Sequence, residues 1–296
     1  MKFPARWFKQ NLWAVFLFHQ IFIFITAVSF LSVVRRITGR TIHLGRDPVG
    51  VIDGFALIIL SAAVIVLTLI LYRWIKGKDA PSLGIALSPR RLLELLIGLI
   101  IGFAFAILPW VNALLNETAT ITDRIGTHFD NYAIVRILAV AFFLLLIQGI
   151  VEEVANRAFP MRLWGDRSLA FRLIVPSIFF AAIHLADEQL SFERLFILLA
   201  AGIIQGFAYA LTGNIWFTSG VHTGANYATF SISGLWHAGA IISIAGQPAF
   251  PNWLAVIVMF VLFSLAFGLL WHYKPTFIAL SAGEQINGRE AETAAF

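Results

Sequence analysis

Long apolar segments separated by short polar loops recur along nearly the whole chain. About 20 apolar residues cross the bilayer core as a helix, and eight segments approach or exceed that length: residues 12–34, 51–75, 92–115, 133–150 or beyond, 169–185, 195–211, 215–232 and 253–272. Alternation of apolar and polar residues, typical of membrane β-barrels, is missing. We predict an all-α polytopic membrane protein of about eight transmembrane helices, forming a single domain over residues 1–296 with a flexible tail at residues 275–296.

The composition supports the bilayer as solvent and excludes several kinds of chemistry. The 296 residues are 59% hydrophobic and 12% charged, whereas a soluble domain carries about 25% charged residues. The absence of cysteine excludes disulfides, thiolate zinc ligands and a cysteine nucleophile. Most basic residues lie in loops beside the spans, so the net charge of +5 reflects membrane orientation and predicts no nucleic-acid partner.

The distribution of lysine and arginine predicts the orientation of the helices. With the N-terminus in the cytosol, the inner segments hold 14 of these residues and the outer segments hold 7. Because positive residues concentrate on the cytosolic side, we predict that both termini are cytoplasmic, in a bacterial or archaeal plasma membrane.

Two pairs of glycines lie four residues apart within predicted spans, Gly98 with Gly102 and Gly202 with Gly206. Such spacing lets helix backbones approach closely. We interpret both pairs as packing surfaces.

Two carboxylates and a guanidinium follow the fourth apolar segment. Glu153 and Arg157 are four residues apart with the acid first, the favourable order for a helical ion pair, whereas Glu152 has Asn156 at that spacing. This predicts Glu153 as a structural acid and Glu152 as the carboxylate available for acid–base chemistry. A solvated charge cluster at a helix end is the structural alternative.

Histidines occupy two later spans. His184 follows Phe180 by one helical turn, and His222 and Asn226 belong to a polar stripe that recurs every four residues along an otherwise apolar helix. Polar groups in a membrane span face protein or water, so they indicate a functional site. An interhelical hydrogen-bond seam is the structural alternative for the stripe.

These three motifs, in this order and each on its own predicted span, resemble the CPBP (Abi) family, which includes the type II CAAX prenyl endopeptidases. The run at residues 201–216 is also similar to that family, and the resemblance covers residues 138–230. It implies an intramembrane endopeptidase with a catalytic cavity between helices 4–7, open to the cytosol. The implied substrate is a prenylated CAAX protein or another membrane-associated peptide.

The resemblance also implies a role for each motif residue. Glu152 and His184 would activate a water molecule, and His222 and Asn226 would stabilise the oxyanion of the tetrahedral intermediate. Structural support of the site would come from three further residues: Glu153, Arg157 and Phe180.

This site demands a particular course of the fourth helix. A helix ending at residue 150 would leave Glu152 near the inner surface, while His184 would follow a full crossing. The two side chains meet only if the fourth helix continues through Arg157 and brings both groups toward mid-depth.

Two alternatives remain open. Glu152, His184 and His222 could ligate zinc, although these residues are spread over three helices and the compact H-E-x-x-H arrangement is absent. We favour a mechanism without a metal cofactor. The other alternative is a non-catalytic membrane protein, such as a bacteriocin-immunity factor or scaffold. The sequence predicts no oligomeric state.

Overall fold

The computed structural model describes residues 10–38, 51–78, 80–184, 192–233 and 241–246, together with residues 254, 257 and 261. Within these ranges the protein is mostly helical. Its seven helices are α1 (Leu12–Thr38), α2 (Val51–Lys76), α3 (Pro89–Leu115), α4 (Asn131–Glu153, continued below), α5 (Leu169–Ile183), α6 (Phe192–Thr212) and α7 (Trp216–Ser233). The predicted eighth span, at residues 253–272, and the predicted tail lie outside the described residues apart from three isolated positions.

Four described helices are long and apolar enough to cross a membrane: Leu57–Lys76, Pro89–Leu115, Asn131–Leu163 and Arg194–Thr212. They indicate an integral, multi-pass membrane protein. Helix α5 is shorter, with 15 residues. Helix α7 is not in this set, because its row of threonine, serine, histidine and asparagine lowers its hydropathy.

Helix α4 does not stop at the glutamates. A π-helical turn, Val154–Ala158, and five α-helical residues, Phe159–Leu163, extend it. The Phe159 amide bonds the Val154 carbonyl five residues earlier, and this wider turn lets the helix pass Pro160, whose ring would meet a carbonyl in a regular α-helix. The predicted continuation through Arg157 is therefore confirmed.

The extension of α4 also supplies the centre of the hydrophobic core. Phe159 and Leu163 are fully buried, as is Phe16 of α1. The Phe16 ring lies 4.7 Å from that of Trp164, which ends the extension. Burial from all sides holds this segment rigid, so the charged residues just before it are anchored to the core.

Glycines bring α3 and α7 into backbone contact. A Cβ added at Gly98 would meet the Phe217 carbonyl, and one at Gly102 would meet the Val221 carbonyl. Contacts that rise together along both helices show that α3 and α7 run parallel. The predicted packing role of Gly98 and Gly102 thus holds. The pair Gly202 and Gly206 likewise packs on α5, against Ser177 and Leu173, with the two helices antiparallel.

A short two-stranded sheet corrects the purely α-helical prediction. Strand β1 (Ala119–Arg124) pairs antiparallel with β2 (Ile242–Gly246), and Ala119 lies opposite Gly246. The strands come from two loops far apart in the sequence, and each is too short to show a period. Their pairing is set by the helices that bring the loops together.

Candidate active site

Helix α4 presents its two consecutive glutamates to different surroundings. Consecutive helical residues point about 100° apart, so only one of them faces the tightly packed side. The Glu153 side chain is 0% exposed and that of Glu152 is 23% exposed. Only Glu152 therefore has direct access to water.

His222 of α7 lies between these two carboxylates. Its Nδ1 is 3.2 Å from Glu153 Oε1, and its Nε2 is 3.6 Å from Glu152 Oε2. An ionised carboxylate only accepts hydrogen bonds, so both ring nitrogens face acceptors and the arrangement suits an imidazolium. The spacing argument gave Glu152 no basic partner on its own helix, and the structure supplies one from α7.

The predicted ion pair between Glu153 and Arg157 is present in the protein interior. Arg157 Nε lies 3.8 Å from Glu153 Oε2, and the two side chains are 1% and 0% exposed. Arg157 Nη2 also donates to Gln205 Oε1 at 2.8 Å. With His222 charged, the two glutamates and two cations balance, which buried charges require.

Phe180 of α5 connects the cation to the histidines. The Arg157 guanidinium lies over the Phe180 ring, 4.1 Å from its centroid. The same ring makes edge contacts with His184, at 5.0 Å between centroids, and with His222, at 6.3 Å. One aromatic side chain thus packs against residues of all three motifs.

His184 ends α5, and its Nδ1 lies 2.8 Å from the Phe180 carbonyl oxygen. A carbonyl accepts, so Nδ1 carries the proton. In the neutral ring the lone pair is then on Nε2, the nitrogen able to accept a proton from water or to ligate a metal.

The short length of α5 removes most of the difference in depth between His184 and Glu152. At about 1.5 Å per residue, Glu152 lies roughly 16 Å along the helix from Leu163, and His184 lies roughly 22 Å from the start of α5. Both distances begin at the same short turn, residues 164–168. Helix α5 therefore ends before a full crossing of the membrane, so His184 lies closer to the depth of Glu152 than a longer helix would place it.

Two of the predicted site residues make no direct ion pair or hydrogen bond with the glutamates within the described residues. No ion pair joins Glu152 to His184. Asn226 is half-buried, one turn beyond His222, and none of the side-chain hydrogen bonds described here involves it. The structure thus assembles Glu152, Glu153, Arg157 and His222 directly, and adds His184 through Phe180.

Asn214 stands at the start of the polar stripe by its four-residue spacing, but the spacing is misleading there. Asn214 precedes the helix, where its Oδ1 accepts the Trp216 amide proton at 2.9 Å. Its Nδ2 donates to Glu94 Oε2 of α3, also at 2.9 Å. Asn214 therefore caps α7 and connects it to Glu94 of α3, and it takes no part in the site around Glu152 and Glu153.

Two glutamines belong to the site, although the sequence argument passed over them. Gln205 binds Arg157, and Gln148 donates to Glu152 Oε1 at 2.9 Å. The only sequence signal for Gln148 was its position one helical turn before Glu152. For Gln205 it was a polar residue within the apolar α6.

The described residues do not assemble the zinc ligand set. No group of three His, Asp or Glu side chains in this part of the chain is arranged so that it could hold a metal ion. Both nitrogens of His222 face the glutamates, and His184 lies apart from them. This arrangement does not fit a site formed by Glu152, His184 and His222.

A comparison with protein families identifies the class. Residues 134–228 match the family model described as type II CAAX prenyl endopeptidase Rce1-like. This segment, which contains all the site residues above, belongs to that family. The membership indicates an intramembrane peptide hydrolase that resembles the CAAX prenyl endopeptidases and acts on membrane-embedded peptides. No curated protein and no solved structure matches the chain.

Proposed function

We propose that this protein cleaves a peptide bond of a membrane-associated substrate near the cytosolic side of the membrane, with prenylated CAAX proteins as the first candidates. The observation that carries the proposal is the contrast between the glutamates. Glu153 is sealed between Arg157 and His222, whereas the Glu152 side chain is 23% exposed beside the same imidazole. Glu153 thus has a structural role, and Glu152 is the carboxylate that can exchange a proton.

Glu152 and His184 activate the hydrolytic water. Glu152 takes one proton as the water oxygen attacks the carbonyl carbon of the scissile bond, and His184 Nε2 orients the same water as an acceptor. The tetrahedral intermediate then collapses, the C–N bond breaks, and Glu152 returns its proton to the leaving amine. A base positioned in this way contributes about 10²–10⁴-fold to the rate.

His222 and Asn226 stabilise the negative charge that develops on the carbonyl oxygen. Glu153 holds Nδ1 of the imidazolium, and this leaves the Nε2 proton to face Glu152. Once Glu152 is protonated it attracts that proton less strongly, so Nε2–H is available to the oxyanion. Donors of this kind, held in place in a water-poor site, are worth several kcal/mol, about 2.7–4 for one donor.

Cleavage by protein reconstituted in liposomes tests the proposal. The substrates are a farnesylated CAAX peptide, its unprenylated counterpart and an unrelated transmembrane peptide, with products identified by mass spectrometry. Glu152→Gln keeps the shape and removes the base, so turnover is expected to fall at least about 100-fold. Glu117→Gln, at an exposed loop position, is the matched control.

The possible outcomes are distinct. Near-normal turnover by folded Glu152→Gln protein removes the glutamate mechanism. If the wild type cleaves none of the substrates and membrane proteomes with and without Glu152→Gln show the same termini, the chain is a non-catalytic member. Cleavage of only the prenylated peptide assigns the CAAX class.

A further inference from the structure

Glu152 has a second polar neighbour besides His222. Gln148, one turn earlier on α4, donates from Nε2 to Glu152 Oε1 at 2.9 Å. The other carboxylate oxygen, Oε2, faces His222 Nε2. The two oxygens of the proposed base are therefore held from two directions, by two helices.

This arrangement limits the rotation of a flexible side chain. Glutamate has three rotatable side-chain bonds, and a single contact would leave the carboxylate plane free to turn. A hydrogen bond at Oε1 and a charged neighbour near Oε2 limit the rotation of that plane, with Oε2 on the side of α7. Restricting a base to its reactive geometry is a common source of rate enhancement.

The primary amide of Gln148 suits both protonation states of its neighbour. Its NH₂ group donates to the ionised carboxylate, as in the structure. After Glu152 takes a proton, a half-turn of the amide presents Oε1 as an acceptor for the new O–H group. A glutamine thus keeps a hydrogen bond at each stage, which neither a carboxylate nor an ammonium group in its place would do.

An ordinary pair on a helix surface is the simpler explanation for a Gln–Glu contact at this spacing. The setting of the pair argues against it. Gly149, the next residue, packs so closely on α7 that an added Cβ would lie 2.6 Å from Thr223 Oγ1. Gln148 and Glu152 are both half-buried and lie on the helix face beside that interface, next to His222.

We infer that Gln148 is a positioning residue that holds the Glu152 carboxylate toward His222. The inference rests on the proposed function, because it gives Glu152 the role of general base. It goes beyond that function by assigning the orientation of the base to Gln148, a residue that does not contact substrate.

The test is the separate measurement of kcat and KM for reconstituted protein. Gln148→Met keeps the approximate shape and removes the donor. Loss of a hydrogen bond that orients the base is expected to lower kcat about three- to tenfold and to leave KM nearly unchanged, because the substrate is still bound. Gln148→Glu replaces the donor by a like charge, so its kcat is expected to be lower still.

Two further variants make the outcome decisive. Phe143→Leu alters an exposed position on the same helix, 61% exposed, and is expected to leave both constants unchanged. Glu152→Gln tests the base itself. An inactive Glu152→Gln together with a wild-type kcat in folded Gln148→Met overturns the role of Gln148 alone. An active Glu152→Gln overturns the proposed function instead.

Discussion

Removing Arg157 tests whether Glu153 is the structural glutamate. The side chain is 1% exposed and neutralises Glu153, which is 0% exposed. Arg157→Ala leaves that carboxylate buried with only His222 as a cationic partner. Breaking one side of a buried ion pair costs about 3–5 kcal/mol, which corresponds to a fall in Tm on the order of 10 °C.

The loss of stability expected in Arg157→Ala has two sources, and a double variant can separate them. Arg157→Ala loses the packing of the guanidinium on Phe180 and also strands a charge. Replacing both partners, as Glu153→Leu with Arg157→Met, removes the stranded charge and keeps apolar volume. Such exchanges are often neutral or stabilising, so the double variant is expected to melt above Arg157→Ala and to stay inactive, because His222 loses its partner at Nδ1.

Thermal unfolding in detergent, measured with specific activity on the same preparations, is the assay. Glu152→Ala is the comparison: its side chain is 23% exposed, and after its removal His222 keeps Glu153 as a carboxylate partner. It is expected to melt within a few degrees of the wild type and to be inactive. If Glu153→Ala melts like the wild type and is inactive, while Glu152→Ala is active and unstable, the two roles are reversed and the reasoning fails.

Three further predictions concern the metal, the topology and the helix packing. Purified protein is expected to contain substoichiometric zinc by elemental analysis and to keep its activity in chelator; stoichiometric zinc, lost and restored together with activity, would establish the metalloprotease. Reporter fusions after Lys78 and Arg167 are expected to report the cytosol and a fusion near Gly45 the opposite side, and an external reporter after Arg167 would contradict the predicted topology. Gly102→Ala forces its methyl group into an α7 carbonyl and is expected to cost about 1–3 kcal/mol, whereas Gly126→Ala has open space and is the matched control; equal Tm values would argue against the close approach of α3 and α7.

Much of this protein could be read from local patterns. Apolar segments of bilayer length predict transmembrane helices because the hydrocarbon core leaves backbone groups no other partners. The order of Glu153 and Arg157 at helical spacing predicts their ion pair, which the structure contains. Such features depend on residues within a turn or two of each other, so the sequence by itself determined them.

The site depended on contacts between helices. The sequence treated Glu152 as free of basic partners, but α7 places His222 beside both glutamates. That placement goes with the close packing of α4 on α7 at Gly149, where an added Cβ would meet Thr223. Neither the spacing of residues nor their hydropathy encodes such a distance between helices.

The pairing of β1 with β2 likewise depends on tertiary structure and not on local sequence. Ile121 and Ile244 lie opposite each other although they are far apart in the sequence. A polar or short segment carries too little information to choose a partner far along the chain. The sequence determined which segments enter the membrane, and the tertiary structure decided which of their side chains meet, because those contacts are set by packing between helices and not by period along any one of them.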